Sequence, residues 1–531
     1  MSKKNIPYHK TGYFSALICD YLSRDDKTEA FYNRFPSLEA FKGQIQEKHA
    51  FFSKEKRMVL VTQLKQQYDH CETSQKVHEH IDLLSNEKTF TITTGHQLNL
   101  FTGPLYFLYK IFSVINLCES LQKKYPSYNF VPIYWMASED HDFEEIQYFN
   151  FNGKKVVWNR DASGPVGELS TEGLDKVKEI LKKEFGQSEY AQYLLNLFEE
   201  SYLKHNNLTD ATRYLANALF ETYGLVIVDG NDAKLKEAFA SYALQELTQQ
   251  RSHNYVSKTT SELEEIGYNK QVHPREINLF YMKEGLRERI IKKGAHYFVQ
   301  DTAFQFTQEE IQKELETHPE RFSPNALLRP LYQEVILPNL CYIGGGGELA
   351  YWFQLKEYFN AVSVPFPILL LRNSVLLLPT KLSEKLDKLE VPLERLFHKK
   401  HELRSWYTRK LSEIEIDFTP QRNHLKQQFK DLYELAKQTD ASFEGAVAAQ
   451  EKKQLNGLDH LEKRLLKAQK RKLADHLERL DLLQMELFPN ESLQERQHNF
   501  SQWYMEIGPS LFSKLKENLD PLSMEFCVLE V

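Results

Sequence analysis

Two apolar runs, each stopping in a crowd of polar side chains, constrain this chain more than any other feature. The first, Phe90 to Thr94, halts at Gly95 and is followed by His96, Gln97 and Asn99. Gly103-Pro104 comes next, then Leu105, Leu108, Phe112 and Ile115 at helical spacing. The pattern predicts strand, loop and helix, with Pro104 as the first helical residue because its missing N–H and restricted φ suit that position. The second run, Phe130 to Met136, leads into Glu139-Asp140-His141-Asp142. Two strand ends joined by a helix make a βαβ unit. In open α/β sheets, ligands bind beyond the carboxyl ends of such strands.

Further apolar runs at 225–229 and 366–371 bring the expected parallel strands to at least four. Between them lie helical sequence (168–222), an Asn152-Gly153 hairpin signal, and three β-rich runs from Ile277 to Val299 broken by Gly285 and Gly294. The fold class is therefore α/β, a Rossmann-like parallel-sheet core over 1–379 with insertions at 150–222 and 260–325. From Thr380 the composition shifts. Leu382, Leu386, Leu389, Leu393 and Leu396 alternate at four and three residues, and further leucine seams follow from Leu425 and from Leu466. Residues 380–485 read as a helical coiled coil, interrupted at Pro392, through which two copies would pair as a homodimer. An intramolecular coil is the alternative. Residues 486–531 return to ordinary globular sequence, and the terminal Phe526 to Val531 suits a strand.

A 531-residue chain with 41% hydrophobic residues has ample material for more than one core. A net charge of −7 gives no general reason to expect nucleic acid or an anionic membrane as partner, and no apolar run is long enough to span a bilayer. Five scattered cysteines without CxxC spacing argue against a disulfide framework, so a cytoplasmic protein is expected.

The candidate catalytic residues are Asp140, His141, Asp142 and His96. His141 between carboxylates would have a raised pKa and could serve as a general base. The bland reading of the acidic cluster is a solvated strand end with a helix-capping Asp. Consecutive residues point in different directions, so no metal-ligand set is assigned, although a two-carboxylate Mg²⁺ contact beside nucleotide phosphates stays open. Candidate binding residues are Thr94, Gly95, Gln97, Asn99 and Glu139, then Arg329, Gln333 and Glu334 on one helical stretch. Gly345, Gly346, Glu348 and Trp352 join them from the run of four glycines 344–347, which would let backbone approach a ligand and adopt positive φ. Cys341, beside those glycines, is the one thiol of interest.

TGHQLNLFTGPLYFLYK, VPIYWMASEDHDFEEI and LRPLYQEVILPNLCYIGGGGELAYW (328–352), with LQER and LDPL near the C-terminus, resemble the bacillithiol-biosynthesis BshC family of cysteine-adding enzymes. The resemblance spans nearly the whole chain. It implies L-cysteine and glucosaminyl-malate as substrates, an amide as product, and connective insertions like those of class I aminoacyl-tRNA synthetases. A free carboxylate is a poor acyl donor, so activation by ATP or another nucleotide with Mg is expected. The family commonly carries Gln where this chain has His96, which implies hydrogen bonding there. The alternatives are another adenylate-forming or nucleotidyl-transferring enzyme on the same core, and a non-catalytic coiled-coil scaffold.

Overall fold

The structure, a computed structural model, describes residues 3–531. They form two compact units: Tyr13–Leu377 with both chain ends, and Leu378–Leu493 with Lys10–Gly12.

The first unit is built on five parallel strands. These are β1 (Thr89–His96), β2 (Asn129–Met136), β3 (Val226–Asp229), β4 (Asn339–Gly344) and β5 (Ile368–Leu371), in the spatial order β5-β4-β1-β2-β3. The chain winds outward from β1 to β3, then returns to place β4 on the other side of β1. Strand order thus reverses between β1 and β4, the topological switch point where ligands bind in such sheets. β1 and β2 are paired along their length, with Gly95 opposite Trp135 and His96 opposite Met136. The two polar clusters seen in the sequence therefore emerge at the same height.

β4 is a fifth strand that the sequence did not announce. Asn339 to Gly344 is short and runs into glycines, so it reads as the approach to a loop. Pairing on both sides makes it a central, fully buried strand. Phe90, Ile92, Cys341, Ile343, Ile368 and Leu370 from the sheet pack with Val114, Leu117, Cys118 and Leu121 of helix α1 (Tyr106–Lys124) in one core cluster. Cys341 lies in that core with its thiol pushed well up by burial, so it packs and has no reactive thiolate.

Helix α1 starts two residues later than Pro104. Phe101, Thr102 and Gly103 all have positive φ, which turns the chain sharply before the helix begins. Asn499, from the C-terminal segment, donates to the carbonyls of both Phe101 (2.7 Å) and Gly103 (2.6 Å), and Tyr202 OH accepts from the Phe101 N–H. Left-handed backbone at non-glycine residues is costly, and it persists where the surroundings over-determine it.

The insertions follow the sequence pattern. Tyr148–Phe151 and Lys154–Val157 form a hairpin turning at Asn152 and Gly153, both at positive φ, as a primed turn requires. The predicted antiparallel runs become Leu279–Lys283, Leu286–Lys293 and His296–Val299, widened to five strands by Gln305–Thr307 and Phe322–Pro324. The final strand, Glu525–Glu530, pairs antiparallel with Lys3–Pro7 and lies beside Val375–Leu378 in a separate sheet.

The second unit is helical. The proposed seam from Leu382 to Leu396 is not one helix: it breaks after Leu389, where Glu390 adopts positive φ ahead of Pro392, and resumes as a 3-10 turn at Leu393–Phe397. Leu382, Leu386, Leu393 and Leu396 are buried within the same chain, so the seam is already occupied. Thr419–Ala436 and Ala441–Lys472 fold back as an antiparallel pair, joined by Phe429, Ala436 and Val447 and by Arg422 bridging to Asp459 and Glu462. This pair is intramolecular, because a four-residue connection makes neighbouring helices antiparallel partners.

Candidate functional site

At the switch point the first unit forms an open-mouthed cavity of about 700 Å³, a size typical of small-molecule sites. Its floor is an ion pair. Lys110, on α1, is almost fully buried and donates to the Gly95 carbonyl (2.7 Å) and to Glu348 Oε1 (2.5 Å). Glu348 Oε2 accepts from Tyr342 OH at 2.7 Å. Burial pulls the Lys110 pKa down. Burial opposes the charge on Glu348 as well, yet the adjacent ammonium and its hydrogen bonds hold that carboxyl below its ordinary range.

The end of β2 supplies the second wall. Glu139 is paired with Lys236 (2.6 Å). Asp140 accepts from Gln97 Nε2 (2.9 Å) through Oδ2 and from the His141 backbone N–H (2.8 Å) through Oδ1, and Gln97 also donates to Glu145. Opposite them stands Arg287, from the inserted antiparallel sheet, donating to His141 Nδ1 at 2.6 Å. The expectation of a raised His141 pKa is corrected. Burial, then the Arg287 guanidinium, lower it, outweighing Asp140, Glu288 and Asp142.

Arg329 completes the cavity. Its guanidinium lies over the rings of Trp135 and Tyr342, 5.9 and 5.5 Å from their centroids, and donates to Gln333 Oε1 at 3.0 Å. Among the described residues, neither Arg287 nor Arg329 forms a direct ion pair: their hydrogen bonds go to neutral groups, while Glu139 and Asp140 act on Arg287, and Glu348 on Arg329, from farther off. A buried charge without a counterion is costly, and an anionic ligand offsets that cost.

Of the sequence candidates, Gly95, Gln97, Glu139, Asp140, His141, Arg329 and Glu348 line this cavity, with His96 at its edge. His96 is buried against Tyr106 and Phe107, its Nε2 lying 3.2 Å from the Thr102 carbonyl, and burial pushes its pKa down to about 3. It is therefore a neutral hydrogen-bond donor. Asp142 stands at the head of a one-turn helix, outside the cavity lining. Thr94 donates to the Ile343 carbonyl inside the sheet, and Asn99 borders two smaller cavities instead. Gln333 bridges Arg329 and Glu334. Glu334 itself is fully buried with Lys48 (2.8 Å) and Asn339, away from the cavity.

The glycine segment also differs from expectation. None of Gly344 to Gly347 has positive φ. Gly344 is required because a Cβ there would stand 2.9 Å from the Tyr342 ring, and Gly346 packs on Ile18 and Phe14. Gly345 caps helix α2 (Gly346–Phe353), and the helix's own Glu348 carboxylate accepts the Gly345 backbone N–H. That helix end is filled from within, so it does not fit a phosphate cradle. Trp352 is buried and stacks on Tyr342 at 4.7 Å, one layer behind the cavity. Among the described residues, no group of three or more His, Cys, Asp or Glu is placed to hold a metal ion.

Sequence reasoning missed Lys110, Arg287 and Lys236. Lys110 did leave a trace, as the single charged residue in the stretch from Leu105 to Leu117. Arg287 left none, because LRERIIKK is charged at many positions.

A parallel sheet with a charged, concave site at its switch point defines an α/β enzyme of Rossmann-like architecture. Within that class the chain belongs to the BshC family: residues 1–373 match "Bacillithiol biosynthesis BshC, N-terminal Rossmann-like domain" and residues 375–531 match "Bacillithiol biosynthesis BshC, C-terminal coiled-coil domain". It is 57% identical to a Flavobacterium johnsoniae protein over 99% of both chains, and 37% identical to one from Cytophaga hutchinsonii over 100% of this chain and 99% of the other. A Lysinibacillus sphaericus protein is 27% identical over 94% and 95% of the two chains. All three carry the name "Putative cysteine ligase BshC".

Proposed function

We propose that this enzyme joins the carboxylate of L-cysteine to the amine of glucosaminyl-malate, forming an amide. The observation that carries the reading is the pair of guanidiniums without a direct ion-pair partner, Arg287 and Arg329, in a cavity that also holds the carboxylates of Glu139, Asp140 and Glu348. Substrates bearing both carboxylate and ammonium groups match such a lining, since each charge finds a counterpart that water would otherwise supply. The cations bind and orient the carboxylates. The acidic groups hold the amine in place for attack.

Amide formation from a free carboxylate requires activation, for which a nucleotide such as ATP with Mg²⁺ is proposed. The residues of the cavity fit the organic substrates, whereas the glycine segment does not fit the phosphates. The test is turnover of purified full-length protein with L-cysteine and glucosaminyl-malate, with and without each nucleoside triphosphate, read by mass spectrometry of the amide. Product that depends on cysteine and on this protein is the expected result. Pyrophosphate exchange driven by a different amino acid, with no amide from cysteine, would replace this reading with another adenylate-forming activity.

A further inference from the structure

The inserted antiparallel sheet reaches His141, beyond the end of β2, through Arg287 and Phe280. Arg287 donates from Nη1 to His141 Nδ1 (2.6 Å), from Nε to Ser323 Oγ (3.1 Å) and from Nη2 to the Pro324 carbonyl (3.3 Å). The Phe280 ring lies under the guanidinium at 4.0 Å and beside the imidazole at 5.3 Å. Three hydrogen bonds and a stacked ring hold the group in one orientation.

A guanidinium has only donors and keeps its proton in proteins. The contact with His141 therefore runs one way: Nδ1 offers its lone pair, and in the neutral ring Nε2 must carry the hydrogen. We infer that Arg287 is a positioning residue that fixes His141 as the Nε2–H tautomer, so that His141 meets the substrate as a hydrogen-bond donor and not as a general base. One nitrogen is engaged by Arg287 and the other already bears a proton, which leaves no vacant lone pair for the amine's proton.

The charged groups facing the ring are Asp140, with Oδ1 3.8 Å from Nδ1, its neighbour Asp142, Glu288 and Arg287 itself. The three carboxylates favour the imidazolium. Asp140, however, already accepts the His141 backbone N–H, and the direct contact belongs to the cation. The ligand class implied at Nε2 is an oxygen carrying negative charge, as on a carboxylate or phosphate. Its place in turnover rests on the function proposed above. The tautomer does not.

The test uses full-length protein labelled with ¹⁵N-histidine and long-range ¹H–¹⁵N correlation spectra, with the His141 signals identified by their disappearance in His141→Gln. A pyridine-type Nδ1 and a pyrrole-type Nε2 are expected at neutral pH. Arg287→Met should release the ring into mixed tautomers that take up a proton at higher pH than the wild-type ring does, since one of the two causes that lower its pKa is gone. A protonated Nδ1 in the wild type, or a spectrum unchanged by Arg287→Met, overturns the inference. His141→Gln retains a donor near the Nε2 position, so its turnover should stay within about tenfold of wild type, whereas loss of a general base costs about 10²–10⁴-fold. A fall of that larger size overturns the donor role. If the wild type forms no amide at all, the functional reading fails while the spectra still decide the tautomer.

Discussion

Replacing Lys110 with Met leaves the Glu348 carboxylate at the cavity floor without its cation. Lys110 is 3% exposed and Glu348 28% exposed, so little water is at hand to take the ammonium's place. Removing one member of a buried ion pair costs about 3–5 kcal/mol, because the partner is stranded in a poorly solvating site. Glu348 keeps its bond from Tyr342 and touches the cavity, which puts the expected loss near the lower end, about 3 kcal/mol. Urea denaturation followed by tryptophan fluorescence measures it, since Trp135, Trp158, Trp352 and Trp503 all lie in the first unit. The double variant Lys110→Met/Glu348→Gln should recover at least half of the loss, because the stranded charge is then gone. The sign of the pH dependence follows from the depressed Glu348 pKa. The stabilisation by the pair is full above the unfolded carboxyl pKa and is lost as pH falls through the folded value. In the single variant Glu348 protonates more readily, so its deficit relative to wild type should narrow below about pH 4–5. A Lys110→Met protein within 1 kcal/mol of wild type at pH 7 by this assay, at the ~0.5 kcal/mol precision of such comparisons, would refute the reasoning. So would a double variant no more stable than the single one.

His96→Gln preserves a donor for the Thr102 carbonyl, so turnover within about tenfold of wild type is expected, and a loss in the 10²–10⁴-fold range would reassign the ring to acid–base work. Arg329→Met removes a buried cation from the cavity. The KM for the carboxylate substrate should rise about 10–100-fold in steady-state assays, the equivalent of one charged hydrogen bond. Asn499→Ala deletes the two bonds that hold the left-handed Phe101–Gly103 turn. Hydrogen exchange should rise locally over residues 97–106, with a global loss of about 1–3 kcal/mol. Leu386→Lys forces a charge into the core of the second unit. Calorimetry should show that unit melting earlier while the first keeps its transition.

Periodicity decided much of this protein, because local sequence carries it. The strands at 90–94 and 130–136, the Asn152-Gly153 hairpin and the helices after Pro104 and Thr380 follow from spacing and turn chemistry. Both polar strand ends, which line the candidate cavity, were visible for the same reason. What spacing cannot carry is which long-range partner a side chain meets. β4 is a strand because β1 and β5 flank it, and the leucine seam is filled because the same chain folds back on it. Glu334, near Arg329 in sequence, turns instead to Lys48 across 286 positions. His141 shows the limit most sharply. Neighbouring carboxylates in the sequence favour a charged base, yet Arg287, 146 positions away, takes its lone pair. Neighbours along the chain set a side chain's chemical type, while its protonation follows from whatever tertiary packing brings within hydrogen-bonding distance and from how much water that packing removes.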